Sequence, residues 1–372
     1  MPHPTRRTVL GAASILPMAA RRSVAADSGP SVGVIGVGNR GSVLAKIIAE
    51  QTPARLAAVS DLSEDRMNAA SKLAPQVQRF QDFHDLLRSN VDAVVIATPV
   101  FLHAGHLEAA VQAGKHIYIE KPAASSVADC KKILRIVDSA PRSLNISFGF
   151  QRRYGEVYKR AKQAQDAGAI DKILWAQIQF VKSEATRQRT ENVHPVSESD
   201  KIANWLAWQD LSGDLIVENN IHLIDVMNWF IGARPLKALG AGGRTRPGYG
   251  DNRDHGQVTF TYQDRVQGVL AGTTLASPGF RNVFEQFHGS KGTIETSENY
   301  WKLIRGGKPE IDEPSPRDIT VDSLAAFVRR VAEKIPENTG ASAVESTLTA
   351  IMGRLAMDRG REVTWEETLA SE

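Results

Sequence analysis

Short apolar runs rich in β-branched residues alternate with longer stretches of helical periodicity through the first 150 residues, after which the pattern changes. Residues 32–35, 56–59, 93–97, 116–119 and 144–148 read as strands. Between them, 42–50, 63–73, 104–113 and 127–139 read as helices, with Ser63 placed as an N-cap and Gly114 as a stop. Alternation on this scale implies right-handed crossovers and a doubly wound parallel sheet. Beyond 150, a helix over 155–167 and a strand over 173–181 lead to a strong helix over 213–231, apolar nearly all round. Strand-like runs at 236–241, 258–262, 266–275, 283–288 and 293–296 then follow one another with turns rather than helices between them, the pattern of a mostly antiparallel sheet. Residues 244–255 and 306–317 read as exposed loops, and 323–358 as a terminal helical region.

The chain therefore reads as α/β, with a parallel-sheet domain over 31–150 and a second α/β domain with an open, mostly antiparallel sheet over 151–372. Its 372 residues are long for a single core. Residues 1–26 stand apart. Thr5-Arg6-Arg7-Thr8-Val9-Leu10 has a twin-arginine pattern, a mildly apolar stretch too short to span a bilayer stably follows, and Val24-Ala25-Ala26 offers a cleavage site. A leader of this kind predicts export, to the periplasm or an equivalent compartment. Without Arg6, Arg7, Arg21 and Arg22 the formal charge of +3 becomes −1, so the body has no basic excess and no nucleic-acid partner is expected. The single cysteine, Cys130, excludes an intramolecular disulfide and falls in a helical pattern as inert core.

Candidate chemistry collects where strands end. The first strand opens onto Gly36-Val37-Gly38-Asn39-Arg40-Gly41, and the second ends at Asp61. Glycines at this spacing, between a strand and a helix, permit a tight turn and close approach of backbone to a pyrophosphate at the helix amino end, as in a Rossmann domain. Asp61 would accept hydrogen bonds from ribose hydroxyls and repel a 2′-phosphate, favouring NAD over NADP. Thr98-Pro99, with His103 beyond it, follows the third clear strand, and Glu120-Lys121-Pro122 follows 116–119. Ionisable groups at the carboxyl edge of a parallel sheet lie where such sheets bind ligands.

A second constellation is Glu218, His222 and Asp225, which share one face of the predicted helix at i, i+4 and i+7. Ionisable groups on so apolar a helix are costly to bury unless paired or functional. They mark either a site or a self-satisfied network joining Glu218 to His222. Arg152, Arg153 and Tyr154 could line the cleft between domains or bridge them by ion pairs. Trp205 and Trp208 could stack on a ring, although core packing is the stronger expectation. His103 and His106 have ligand-like spacing without a third partner, so no metal is expected. His194, in a polar loop, could enter the cleft.

Taken in order, the glycine fingerprint, Thr98-Pro99 with His103, Gly114-Lys115-His116, Glu120-Lys121-Pro122 and Glu218-x-x-x-His222-x-x-Asp225 resemble the glucose–fructose oxidoreductase, inositol dehydrogenase and MocA family, over residues 31–365. The resemblance implies an NAD-dependent oxidoreductase acting on CH–OH groups of a sugar, cyclitol or related polyol. In it Lys121 orients the reacting carbinol beside the nicotinamide, His222 is the general base, and the Glu218 carboxylate contacts substrate. The fingerprint residues, Asp61, Thr98, Pro99, His103, Glu120 and Lys121 are the implied cofactor contacts. It also implies a homo-oligomer, dimer or tetramer, through the open sheet, and in an exported member a tightly held cofactor. Four positions depart from the family: Glu218 replaces aspartate, Asn220 replaces glycine, and Val100-Phe101 replace residues that are often polar. The alternative chemistry is a redox-neutral glycoside hydrolysis or elimination through a transient 3-keto sugar.

Overall fold

The computed structural model describes residues 29–183, 197–246 and 248–371; the twin-arginine pattern, its cleavage site and His194 lie outside the described residues. Six parallel strands build the first sheet: β1 Ser31–Ile35, β2 Arg55–Ser60, β3 Gln78–Phe80, β4 Ala93–Ile96, β5 His116–Ile119 and β6 Ile146–Phe148. Their order, β3-β2-β1-β4-β5-β6, reverses direction between β1 and β4. A crevice opens at such a switch point beyond the carboxyl ends of the strands, where the predicted motifs stand. β1 and β4 are buried along their whole length, as expected for strands covered by helices on both faces.

The second sheet has nine strands: β7 Ile173–Lys182, β8 Lys237–Gly243, β9 His255–Thr261, β10 Gln267–Thr273, β11 Arg281–Gly289, β12 Thr293–Ser297, β13 Tyr300–Arg305, β14 Lys308–Pro314 and β15 Val363–Thr364. They run in the order β14-β13-β12-β11-β7-β10-β9-β8-β15, and every pairing is antiparallel except β7 with β10. Ala176, Ile178 and Phe180 of β7 point into the core beneath the helices Ile221–Ile231 and Gly340–Arg359, while Trp175, Gln177 and Gln179 alternate onto the opposite, half-exposed face.

Two expectations need correction. The stretch 306–317, read as a loop, is mostly strand: Gly306 and Gly307, both at positive φ, turn the chain from β13 into β14. β14 carries Lys308, Glu310 and Asp312 because it is the sheet edge, where charge discourages further pairing, and that charge hides the strand. The helix expected over 213–231 is two helices, Asp214–Glu218 and Ile221–Ile231, interrupted at Asn219 and Asn220. Both asparagine N–H groups donate to the Leu215 carbonyl, which closes the first helix early. The terminal helical region likewise divides, into Ile319–Glu333 and Gly340–Arg359. The first of these returns to the nucleotide-binding sheet, its Leu324, Phe327 and Val328 packing in one core with Val32, Val95 and Tyr118.

Candidate active site

The glycine turn is built from three different constraints. Gly36 has φ +82°, in the left-handed region that a side chain disfavours. At Gly41 an added Cβ would sit 1.8 Å from the Gly36 carbonyl oxygen, so this glycine lets the helix Asn39–Gln51 pack against the turn. At Gly38 an added Cβ would meet nothing nearer than 3.8 Å. Gly38 therefore leaves open space directly before a helix whose amino end has no side-chain cap. Asp61 closes the other side, accepting from the N–H of Val37 and of Ser63, both at 2.9 Å. Open backbone at an uncapped helix amino end, with a carboxylate at the end of the neighbouring strand, fits a dinucleotide.

From this turn a pocket of about 250 Å³ runs to the second sheet's helices, lined by Arg40, Thr98, Val100, His103, Glu120, Lys121, Gln151, Trp205, Glu218 and His222. The sequence motifs thus converge. Lys121 Nζ donates to the Glu218 carbonyl oxygen at 2.6 Å and to Glu218 Oε1 at 3.1 Å. The interruption after Glu218 makes the first bond possible, since a continuous helix would spend that carbonyl on its own ladder. Both side chains are largely buried, 13% and 17% exposed.

His222 stands at the pocket wall with Nδ1 buried and without a hydrogen-bond partner among the described residues. Burial, then the cations Lys121, Arg152, Arg40 and Lys182, hold its pKa well below the usual histidine range. A neutral imidazole facing a cationic lysine suits proton acceptance from a substrate hydroxyl.

Behind these groups, Arg40 Nε donates to Glu120 Oε1 at 2.8 Å, and Arg40 Nη2 donates to Gln151 Oε1 at 2.6 Å. His103 braces two strand ends: Nδ1 lies 2.9 Å from the Pro122 carbonyl and Nε2 3.1 Å from that of Thr98. Its ring edge reaches the pocket, but its nitrogens serve the scaffold, and burial lowers its pKa despite both carbonyls. His106 Nδ1 meets Thr98 Oγ1 at 2.9 Å. Pro99 precedes the short turn Val100–Leu102, and the Lys121–Pro122 peptide is cis.

Asp225 does not join this site. Its carboxylate takes two bonds from Arg153, at 2.9 and 2.8 Å, and one from Ser346, a structural anchor on the far side of the broken helix. Arg152 binds Glu285 and Glu298, and Tyr154 binds Glu337, so all three residues that follow the last parallel strand are anchored to carboxylates further along the chain. Trp205 lines the pocket, against the expectation of core packing, whereas Trp208 packs beside Tyr249. Gln151 was the residue missed by sequence reasoning; only its place beside Arg152 at the domain junction signalled it.

Two family models match the chain, the NAD-binding Rossmann fold of the GFO/IDH/MocA oxidoreductase family over residues 31–148 and the GFO/IDH/MocA C-terminal domain over 158–295. The chain is 24% identical over 353 residues to the myo-inositol 2-dehydrogenase of Thermotoga maritima, covering 91% of this chain and 99% of that protein. The structure of scyllo-inositol dehydrogenase from Lactobacillus casei with NAD(H) and scyllo-inositol bound superposes with a TM-score of 0.72 at 22% identity, covering 91% of this chain and 99% of that one. That of levoglucosan dehydrogenase with NADH and levoglucosan gives 0.76 at 17% identity, covering 90% and 99%. With both halves matched and the glycine turn, Lys121 and His222 meeting at one pocket, the chain belongs to the GFO/IDH/MocA family of NAD-binding oxidoreductases.

Proposed function

We propose that the protein is a dehydrogenase of a cyclitol, sugar or related polyol, moving hydride between one secondary CH–OH carbon and NAD. The observation that carries this reading is the meeting of Lys121 and His222 in one pocket at the mouth of the dinucleotide turn. When bound, the nicotinamide supplies the hydride acceptor. Gly38, on the turn that Gly36 and Gly41 shape, would admit the pyrophosphate, and Asp61 would receive the adenosine ribose hydroxyls. Lys121, steered by Glu218, donates a hydrogen bond to the reacting oxygen and stabilises the charge that develops there. His222 takes the hydroxyl proton during oxidation and returns it in the reverse direction. Trp205 and Val100 offer apolar faces to the carbon skeleton, and Glu218 sets hydroxyl contacts. The inositol and levoglucosan dehydrogenases among its relatives support a ring-shaped polyol as the substrate class.

Export by the twin-arginine route belongs to the same proposal, supported by the pattern at Thr5–Leu10, and with it a cofactor held through each turnover. The half-exposed sheet face around Trp175 and Gln177 supports self-association. The deciding experiment releases nucleotide from purified, denatured protein and screens the native enzyme against a polyol and nitrophenyl-glycoside panel. Bound NAD with reduction by a polyol is the expected result. Protein without NAD, and with no thermal response to added NAD, overturns the reading. Release of nitrophenol without net NADH replaces it by the redox-neutral glycosidase.

A further inference from the structure

Arg40 belongs by position to the glycine turn, yet its guanidinium is committed elsewhere. It donates from Nε to Glu120 and from Nη2 to Gln151, residues at the ends of two other strands. Gln151 Oε1 also accepts from Thr320 Oγ1 at 3.3 Å, in the helix that covers the first sheet. Glu120 is the more constrained partner. Its side chain is 6% exposed, and a Cβ at Gly149 would stand 3.0 Å from Oε2. Among the described residues, its carboxylate receives, apart from Arg40, only a long 3.3 Å contact from the Lys121 backbone N–H. A buried carboxylate needs a cation, and Arg40 is the one paired with it.

That pairing bears directly on Lys121, the next residue along. Lys121 follows Glu120 directly in the chain, and both line one pocket with Glu218, the carboxylate that the Lys121 ammonium pairs with. Because Arg40 neutralises Glu120, the ammonium engages Glu218, with both the carboxylate and carbonyl of that residue holding it in the pocket. Resting on the reading of Lys121 as the group that orients substrate, we propose that Arg40 is a positioning residue for Lys121, acting through Glu120, rather than a ligand of the cofactor pyrophosphate. Its place in the glycine turn supplies the right distance to the end of β5, and its charge directs the lysine.

The proposal is tested on the full-length protein with Arg40→Met, Arg40→Lys and the double variant Arg40→Met/Glu120→Gln. Two readouts need no substrate: the NAD dissociation constant from tryptophan fluorescence, and the rate of Lys121 reductive methylation at pH 8.5, followed by peptide mass spectrometry. Arg40→Met leaves an uncompensated Glu120 that draws and stabilises the ammonium. Methylation is expected to slow at least threefold and kcat to fall at least tenfold, with the NAD constant changed less than threefold. Removing the Glu120 charge as well restores the methylation rate, and Arg40→Lys, which keeps a cation, gives an intermediate rate. A pyrophosphate ligand would show the reverse, an NAD constant raised tenfold or more with Lys121 labelling unchanged, and that outcome overturns the proposal. Unchanged labelling in all three folded variants also overturns it. Labelling and NAD binding as expected, in an enzyme inactive on every polyol, sustains the role of Arg40 and removes the dehydrogenase reading instead.

Discussion

Lys121 and Glu218, 97 residues apart, link the nucleotide-binding sheet to the second domain inside the pocket itself, through both the carbonyl and the carboxylate of Glu218. Two bonds to one residue fix the direction of the ammonium as well as its place. Glu218→Gln keeps the length and the carbonyl but removes the charge, and kcat/KM should fall about 10- to 100-fold. Glu218→Asp restores the charge with a shorter reach. It should recover part of kcat while changing the ranking of polyols in a substrate panel, with NAD affinity unaltered in both variants. A panel ranking unchanged by Glu218→Asp would show that this carboxylate does not touch substrate.

The depressed pKa of His222 sets the pH profile. Burial and the facing cations keep the imidazole neutral to lower pH than an ordinary histidine. For oxidation, the rising limb of kcat/KM should therefore lie below the usual histidine value of about 6.5. His222→Gln should lower kcat about 10²- to 10⁴-fold and abolish that limb. The measurement is a kcat/KM profile from pH 4.5 to 9 on both proteins. A limb above pH 7, or one that survives in His222→Gln, would assign the base elsewhere.

What could be read along the chain was local. The strand-to-turn junctions at Gly36, Thr98 and Glu120 carry their own signals, because a buried β-branched run followed by glycine, proline or charge has few other uses. Ser63 and Gly114 marked helix ends for the same reason. Long-range pairing left no trace in sequence. Nothing near Arg152 points to Glu285, 133 residues on, nor near Arg153 to Asp225. The regular apolar spacing of 213–231 concealed the interruption at Asn219 and Asn220, since burial outweighs the weak helix propensity of asparagine when a pattern is scored. That interruption puts Glu218 on one helix and His222 with Asp225 on the next, and of the three only Glu218 and His222 line the pocket.

Acid sensitivity should trace in part to His106. Burial, then the nearby His103 and His84, bring its pKa down to about 4. Unfolded, the same ring titrates at about 6.5. Between these values the unfolded chain binds a proton that the native protein refuses, so stability is present above the unfolded pKa and is lost as pH falls towards the folded one. From pH 7.5 to 4.5 the cost is about 2–3 kcal/mol. Urea denaturation at both pH values should show the native protein losing that much more than His106→Gln. At pH 7.5 the variant should be less stable by about 1 kcal/mol, through the lost bond to Thr98. Equal losses in the two proteins would remove His106 from the account.

The glycine turn separates folding from cofactor binding within six residues. A methyl at Gly41 would be forced 1.8 Å from the Gly36 carbonyl oxygen, in a place where neither helix nor strand can give way. Gly41→Ala should destabilise the protein by about 3 kcal/mol or more, whether or not NAD is present. At Gly38 the same methyl meets only the tip of the Arg66 side chain, at 3.8 Å, and the backbone there has φ −69°, which alanine accepts readily. Gly38→Ala should leave the stability of the NAD-free protein within about 0.5 kcal/mol, since the protein itself does not use that space. The dinucleotide does, and NAD affinity should fall at least tenfold. Thermal denaturation with and without added NAD distinguishes the two variants: Gly41→Ala lowers both transitions, whereas Gly38→Ala erases only the increment that NAD contributes. A Gly38→Ala protein that keeps the full increment would show that the pyrophosphate does not approach this backbone, and the dinucleotide would have to lie elsewhere on the sheet edge.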